Sequence, residues 1–419
     1  MKNCERPELL VSGLGVTSAI GIGKEAFGNA LFAGQQAFRH MARPGRQLPG
    51  QDNRGTPGFL GAEIDGFTLA PQFRRYQRGS SLSAQVALAT VHEAWLDANL
   101  DEQDPGRIGL IVGGSNFQQR ELLLTQDAFR SDPAYLRPGY GLSFMDTDTC
   151  GILTEAFNIR GLAYTVGAAS ASGQLAILQA IQAVQSGAVD TCIALGALMD
   201  ISYWECQAFR SMGAMGSDRF GESPAAACRP FDQQHDGFIF GESCAALVIE
   251  NGARMQRKAV APYARPLGWA LVMDGNRNPN PSVEGESQAI TRALASAGLD
   301  AADIDYVNPH GTGSVIGDET ELAALRRCRL EHASINNTKS LIGHGLSAAA
   351  TTELAAVLLQ MRAGRLHPCR NLDDPIDPEF NWVRQASTKP PHNVLKLSMG
   401  FGGINTAICL QAIYPQRTD

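Results

Sequence analysis

The chain has 419 residues, with 35 Lys and Arg against 42 Asp and Glu, a formal net charge of −7. Apolar residues make up 44% and glycines number 44, so a chain of this length can bury a large core without disulfide or metal staples. The acidic balance speaks against a nucleic-acid surface, no apolar run approaches the ~18 residues of a membrane span, and Met1–Leu9 lacks the apolar core of a secretory leader. Residues 9–21 form an apolar, β-rich run ending in glycines and predict a buried strand that enters a loop. Residues 40–57, with several Arg, Gly and Pro, predict a surface loop. Leu88, Val91 and Trp95 share one face of a helix predicted over Ser81–Asn99. Arg107–Gly114 reads as a strand running into a glycine turn, and residues 116–148 show no regular period. Val166–Gly173, V-G-A-A-S-A-S-G, is a small-residue turn. A helix follows it, with Leu175, Leu178, Ile181 and Val184 spaced by three, and stops at Gly187. Thr191–Leu195 and Ala246–Ile249 read as strands. The polar stretch Asn251–Lys258 is the expected link between two halves, 1–257 and 258–419.

The second half follows the outline of the first. A-S-A-G-L-D-A-A-D-I-D-Y-V-N-P-H-G, residues 295–311, echoes A-W-L-D-A-N-L-D-E-Q-D-P-G-R-I-G-L-I-V-G, residues 94–113. A later small-residue turn, Gly343–Ala350, leads a helix with Leu354, Val357, Leu358 and Met361 on one face. That helix stops at Gly364, as the earlier one stops at Gly187. Two β/α halves of similar plan imply an internal duplication.

Nine cysteines are scattered without C-x-x-C spacing and read as reduced, mostly buried thiols of a cytoplasmic protein. The chemistry concentrates in four other segments. V-N-P-H-G-T-G-S, followed by D-E-T-E, gives His310, Asp318 and Glu321. N-T-K-S-L-I-G-H-G-L-S-A-A-A-T-T-E gives Lys339, His344 and Glu353. S-M-G-F-G-G-I-N runs from Ser398 to Asn405, and the turn around Ser170 is the fourth. The histidines show no further ligands at metal-binding spacing, so no metal is expected.

These four segments, in this order, resemble the β-ketoacyl-ACP synthase family, the elongating ketosynthases of fatty acid and polyketide synthesis. The resemblance covers essentially the whole chain. It implies an α/β thiolase fold, a duplicated five-layer α/β/α/β/α arrangement, and a homodimer. In that family the turn reads roughly A-C-x-S-G and its Cys takes the acyl chain. Here the stretch is Ala169-Ser170-Ala171-Ser172-Gly173, so Ser170 stands at the nucleophile position while both catalytic histidines, His310 and His344, remain. The resemblance assigns Lys339 and Glu353 to supporting roles around His344. It makes Phe401 a gate whose backbone N–H would share an oxyanion hole with that of Ser170. Other positions depart from the family pattern: Met399, Ser347, Ala350, His235, Ser243 and Cys244. They put a long acyl pocket in doubt.

A thiol at a helix N-terminus reaches its thiolate near neutral pH, whereas a serine hydroxyl needs a dedicated base. The expected activity is therefore decarboxylation of malonyl-ACP to acetyl-ACP without condensation, as in the free-standing Cys-to-Ser ketosynthase-like decarboxylases of polyketide β-branching. Acyl transfer through Ser170, with His310 as base, remains open. So does a non-catalytic partner of the chain-length-factor kind. The resemblance further implies an acyl carrier protein whose phosphopantetheine bears the substrate, no separate cofactor, and a downstream hydroxymethylglutaryl-CoA-synthase-like enzyme. Arg74, Arg75, Arg78 and Arg219 are the basic residues expected to dock the acidic carrier.

Overall fold

The computed structural model describes residues 8–47, 58–255 and 260–413. The first half places β1 (Leu9–Ser18), α1 (Leu82–Asp97), β2 (Ile108–Gly113), β3 (Ala163–Val166), α2 (Ser172–Gln185), β4 (Thr191–Gly196), α3 (Tyr203–Ser211) and β5 (Ser243–Asn251). The second half places β6 (Ala264–Met273), α4 (Val283–Ala297), β7 (Tyr306–Asn308), α5 (Val315–Arg327), β8 (Ser334–Ile335), α6 (Ala349–Ala363), β9 (Asn393–Gly400) and β10 (Ile404–Ala412).

The strands line up as β8-β7-β9-β10-β6-β1-β5-β4-β2-β3 within an eleven-stranded sheet, the hairpin strand Gly21–Ile22 pairing beside β1. Read outward from the junction, β1-β5-β4-β2-β3 and β6-β10-β9-β7-β8 have the same order and the same mixture of parallel and antiparallel pairs. The junction itself is a single register pair, Val11 with Ala264. Duplication is thus written in the topology. The proposed division between residues 257 and 258 lies outside the described residues.

Alternation along the strands builds the layers. On β4, Cys192 and Ala194 face the core shared with α2 and α6, while Ile193 and Leu195 face α1. On β10, Ile408 and Leu410 face that same shared core, while Ala407 and Cys409 face the α4 side. α2 and α6 therefore form a central helical layer between the two half-sheets. α1 covers one outer face, and α4 with α5 covers the other. Ser81 caps α1 by accepting the Ala84 N–H at 3.2 Å, and Gly298 and Gly364 end α4 and α6 in the left-handed region.

Two regions differ from expectation. Residues 48–57 of the expected loop lie outside the described residues, and the described part from 40 to 47 is not simply surface: Arg46 is fully buried, bonded to Glu63 at 2.9 Å, Asp200 at 3.0 Å and Glu242 at 2.7 Å. A guanidinium surrounded by three carboxylates can be buried because each charge is paired. The aperiodic stretch holds a helix, Gln119–Ala128, and another helix begins at Thr147. The first has no apolar stripe, and the second, which turns Cys150 and Leu153 toward the core beneath α1, lies mostly beyond that stretch.

Candidate active site

Ser170 lies in a 3-10 turn, Ala169–Ala171, that feeds directly into α2. A serine here could serve only as a helix cap, but α2 has no side-chain cap, and the turn itself is tied by Ser172. Its Oγ accepts the Ala168 N–H at 2.8 Å and donates to the Ala169 carbonyl at 2.7 Å. The Ser170 hydroxyl is left free to face outward, and it sits 2.9 Å from Nε2 of His344. The end of β9 seats this turn. A Cβ at Gly400 would lie 2.3 Å from the Ala168 carbonyl oxygen, so only glycine permits the approach. Ser398, two residues earlier, directs its Oγ to the Ser170 carbonyl at 3.4 Å.

His310 and His344 come from loops at the ends of second-half elements, and their rings meet edge to face with centroids 5.6 Å apart. Burial pushes both imidazoles well below the usual histidine range, and the nearby Lys339 and Lys396 ammoniums push further in the same direction. Both rings are therefore neutral at pH 7, each with one N–H to donate. The two Nδ1 atoms are buried without hydrogen-bond partners.

Below the histidines lies a buried charge cluster. Lys339 donates to a Glu353 oxygen and to the main-chain carbonyl of His310. Lys339 thus braces the His310 segment. Lys396, which sequence reasoning missed, pairs with the second Glu353 oxygen at 2.6 Å and donates to the Leu397 carbonyl. Burial pushes its ammonium down to about 8. Its position in the apolar strand V-L-K-L-S was the available signal, since an unpaired lysine is not buried in a strand. Glu321 holds the same histidine segment from the other side, accepting the N–H groups of His310 at 2.6 Å and Gly311 at 2.7 Å. Asp318 accepts from Phe231, Gly313 and the His235 ring.

These groups open onto a cavity of about 340 Å³. Ser170, His310, His344 and Phe401 line it, with an apolar wall that includes Met199, Phe209, Phe238, Leu346 and Met399. Phe401 is 38% exposed and lies 6.4 Å from the Phe209 ring. Arg74, Arg75 and Arg78 are exposed and do not line the cavity, and Arg75 pairs with Glu155 at 3.4 Å. Arg219 stacks on Phe220 at 4.7 Å and faces Asp236 at 3.9 Å.

No cysteine among the described residues lines the cavity. The eight described thiols are all pushed upward by burial, with Cys228, Cys244 and Cys369 each at about 12. Cys4 lies outside the described residues. No group of three or more His, Cys, Asp or Glu among the described residues is placed to hold a metal ion.

The β-ketoacyl synthase N-terminal domain matches residues 7–254, and the C-terminal domain of the same family matches 263–373. A polyketide biosynthesis malonyl-ACP decarboxylase, PksF of Bacillus subtilis, is 56% identical over 415 residues, covering 99% of this chain and 98% of its own. A 3-oxoacyl-[acyl-carrier-protein] synthase 2 of Coxiella burnetii is 25% identical over 98% of this chain and all of its own. The crystal structure of a β-ketoacyl synthase from Burkholderia phymatum superposes with a TM-score of 0.86 at 26% identity. It covers 97% of this chain and 100% of that one.

Proposed function

We propose, for a chain that belongs to the β-ketoacyl synthase family, that it removes CO2 from malonyl-ACP and leaves acetyl-ACP, without condensation. The observation that carries this reading is the make-up of one cavity: two neutral imidazoles and a serine hydroxyl, with no thiol. Neutral imidazole N–H groups of His310 and His344 donate to the thioester carbonyl of the bound malonyl unit. As the bond to the carboxylate breaks, negative charge develops on that oxygen, where fixed donors in a low-dielectric site stabilise it most. CO2 leaves and an enolate remains, to be protonated to acetyl. Ser170 acts as a hydrogen-bonding wall beside the thioester.

The 2.9 Å contact between Ser170 and His344 also favours a second reading, an acyl-serine formed with His344 as base. The contact falls to His344, where His310 was expected. This dyad lacks the third member that holds such a base in one tautomer, since His344 Nδ1 has no partner. Incubation with malonyl-ACP, followed by protein mass and CO2 release, separates the readings. Acetyl-ACP and CO2 with no adduct support decarboxylation, a stable acyl-Ser170 overturns it in favour of transfer, and no turnover supports a non-catalytic partner.

The substrate arrives on the phosphopantetheine arm of an acyl carrier protein, so the mechanism calls on no separate cofactor. Arg74, Arg75, Arg78 and Arg219 supply positive charge for the acidic carrier. The product feeds a hydroxymethylglutaryl-CoA-synthase-like enzyme of β-branching in the cytoplasm. No helix among the described residues is long and apolar enough to cross a membrane. A homodimer is part of the proposal. Its support is the exposed edge strand β3 and the exposed apolar side chains Tyr135, Leu142, Phe144 and Tyr164, a set larger than scattered surface residues require.

A further inference from the structure

One wall of the cavity has no part in the mechanism so far. Glu286, in the first turn of α4, lines it and is only 2% exposed. Its Oε2 is buried with no hydrogen-bond partner. The charged groups that bear on it are all acidic: Asp274 just past β6, and Asp318 and Glu321 on α5. Each of those three has donors of its own. Asp274 accepts from Asn405 at 2.9 Å, Asp318 from two backbone N–H groups and His235, and Glu321 from the N–H groups of His310 and Gly311. Of these four carboxyl groups, Glu286 alone has a buried oxygen that nothing donates to.

A carboxylate in that position would be buried, unpaired and surrounded by like charge. The N-terminal end of α4 favours the ionised form only weakly by comparison. The carboxyl therefore keeps its proton, and burial with the acidic neighbours holds it well above the usual carboxylate range. The same surroundings push Glu321 up to about 7. The outcome is a proton stored on a carboxyl group that opens onto the cavity shared by Ser170, His310 and His344.

We propose that Glu286 is the acid that protonates the enolate, a catalytic residue that commits this site to an acetyl product. The inference rests on the decarboxylase reading. When the bond between the α-carbon and the malonyl carboxylate breaks, its electron pair enters the enolate held by the two imidazoles. The α-carbon then takes the Glu286 proton and becomes a methyl group, leaving Glu286 as carboxylate. That carboxylate recovers a proton from water entering the cavity mouth. In net terms the malonyl anion and one proton become acetyl thioester and CO2, so charge and atoms balance. A neutral acid has a direct advantage here, because it adds no negative charge that would repel the substrate carboxylate.

The test compares wild type with Glu286→Gln, which keeps shape and burial but removes the proton. Acetyl-ACP formation by Glu286→Gln should fall about 100-fold or more. Its thermal midpoint at pH 7 should hold or rise, since the amide keeps the shape of the neutral carboxyl and cannot ionise beside the acidic neighbours. The wild-type rate should decline at alkaline pH and slow in D2O, and both effects should vanish from the residual rate of Glu286→Gln. Glu286→Asp should recover part of the loss. A folded Glu286→Gln with a rate within twofold of wild type and an unchanged pH profile overturns the assignment. So does a wild-type rate that depends strictly on added Mg2+, which would make the acidic wall a cation site. A wild type that yields no acetyl-ACP overturns both this inference and the decarboxylase reading. A productive wild type with an indifferent Glu286→Gln overturns this inference alone.

Discussion

The molecule contains the same turn twice, with opposite outcomes. Ala169–Ala171 and Leu346–Ala348 are both 3-10 turns that lead straight into a central helix. Each begins on a residue held in the left-handed region, Ala169 at φ 47° and Leu346 at φ 52°, and each carries serine next. Such a conformation costs roughly 1–2 kcal/mol for a residue with a Cβ. Ser347 is 2% exposed and donates to the Ala197 carbonyl at 2.9 Å. Ser170 faces the cavity and meets His344. The strained turn is therefore a property of the duplicated framework and no mark of catalysis. What surrounds the serine decides its role.

The strongest way to break this comparison is to remove what Ser170 meets. His344→Ala should lower acetyl-ACP formation by at least ~100-fold, the scale for losing one donor to a developing oxyanion, and His310→Ala should do the same. Release of CO2 under saturating malonyl-ACP measures it, and either variant within threefold of wild type would remove the paired-donor mechanism. Next in size is Glu353→Gln. It leaves Lys339 and Lys396 buried without their common counter-charge, so urea unfolding should show a loss of about 3–5 kcal/mol. An unchanged urea midpoint would mean that the cluster is open to water.

The serines sharpen the contrast directly. Ser347→Ala strips the Ala197 carbonyl of its donor inside the core and should cost about 1 kcal/mol of stability with no change in turnover. Ser170→Ala should leave stability within ~0.5 kcal/mol, because a site facing solvent pays little for the lost hydroxyl. Decarboxylation by Ser170→Ala should stay within about tenfold of wild type, whereas an acyl-serine mechanism would abolish it.

The smallest expected effect concerns pH. The fold lowers the pKa of both histidines, so the stability it gains from keeping them neutral is present above their ordinary value near 6.5 and is lost as pH falls below it. For Glu321, whose folded value rises to about 7 from an ordinary 4.5, the fold favours the protonated form. Its contribution declines as pH rises from 4.5 through 7. Activity should hold between pH 7 and pH 6, because the histidines are still neutral there. An acid limb centred at 6.5 would show at least one imidazole titrating as if exposed.

How much of this was legible beforehand depends on the range of the interaction. α1, α2 and α6 followed from apolar spacing, α2 and α6 also from their glycine stops, and the halves echoed each other at residues 94–113 and 295–311 because the same helix-to-strand passage recurs there. Arg46 was misplaced because its three partners lie at positions 63, 200 and 242. Glu286 escaped notice for a similar reason. A Glu in the first turn of a helix reads as an exposed dipole partner, and only the packing of α4 on α5 turns it inward against other carboxylates.

Local order along the chain determined the duplicated β/α plan, the small-residue turn at Ser170 and the two histidine motifs. Each is set by near neighbours: periodicity, glycine at positions that bar a Cβ, and a run of small residues at the turn. Tertiary structure decided which serine has a histidine for company, which lysine holds His310 from beneath, and which carboxyl group keeps its proton. Those outcomes depend on desolvation and on groups that separate elements bring together, quantities that exist only once the chain has closed around them.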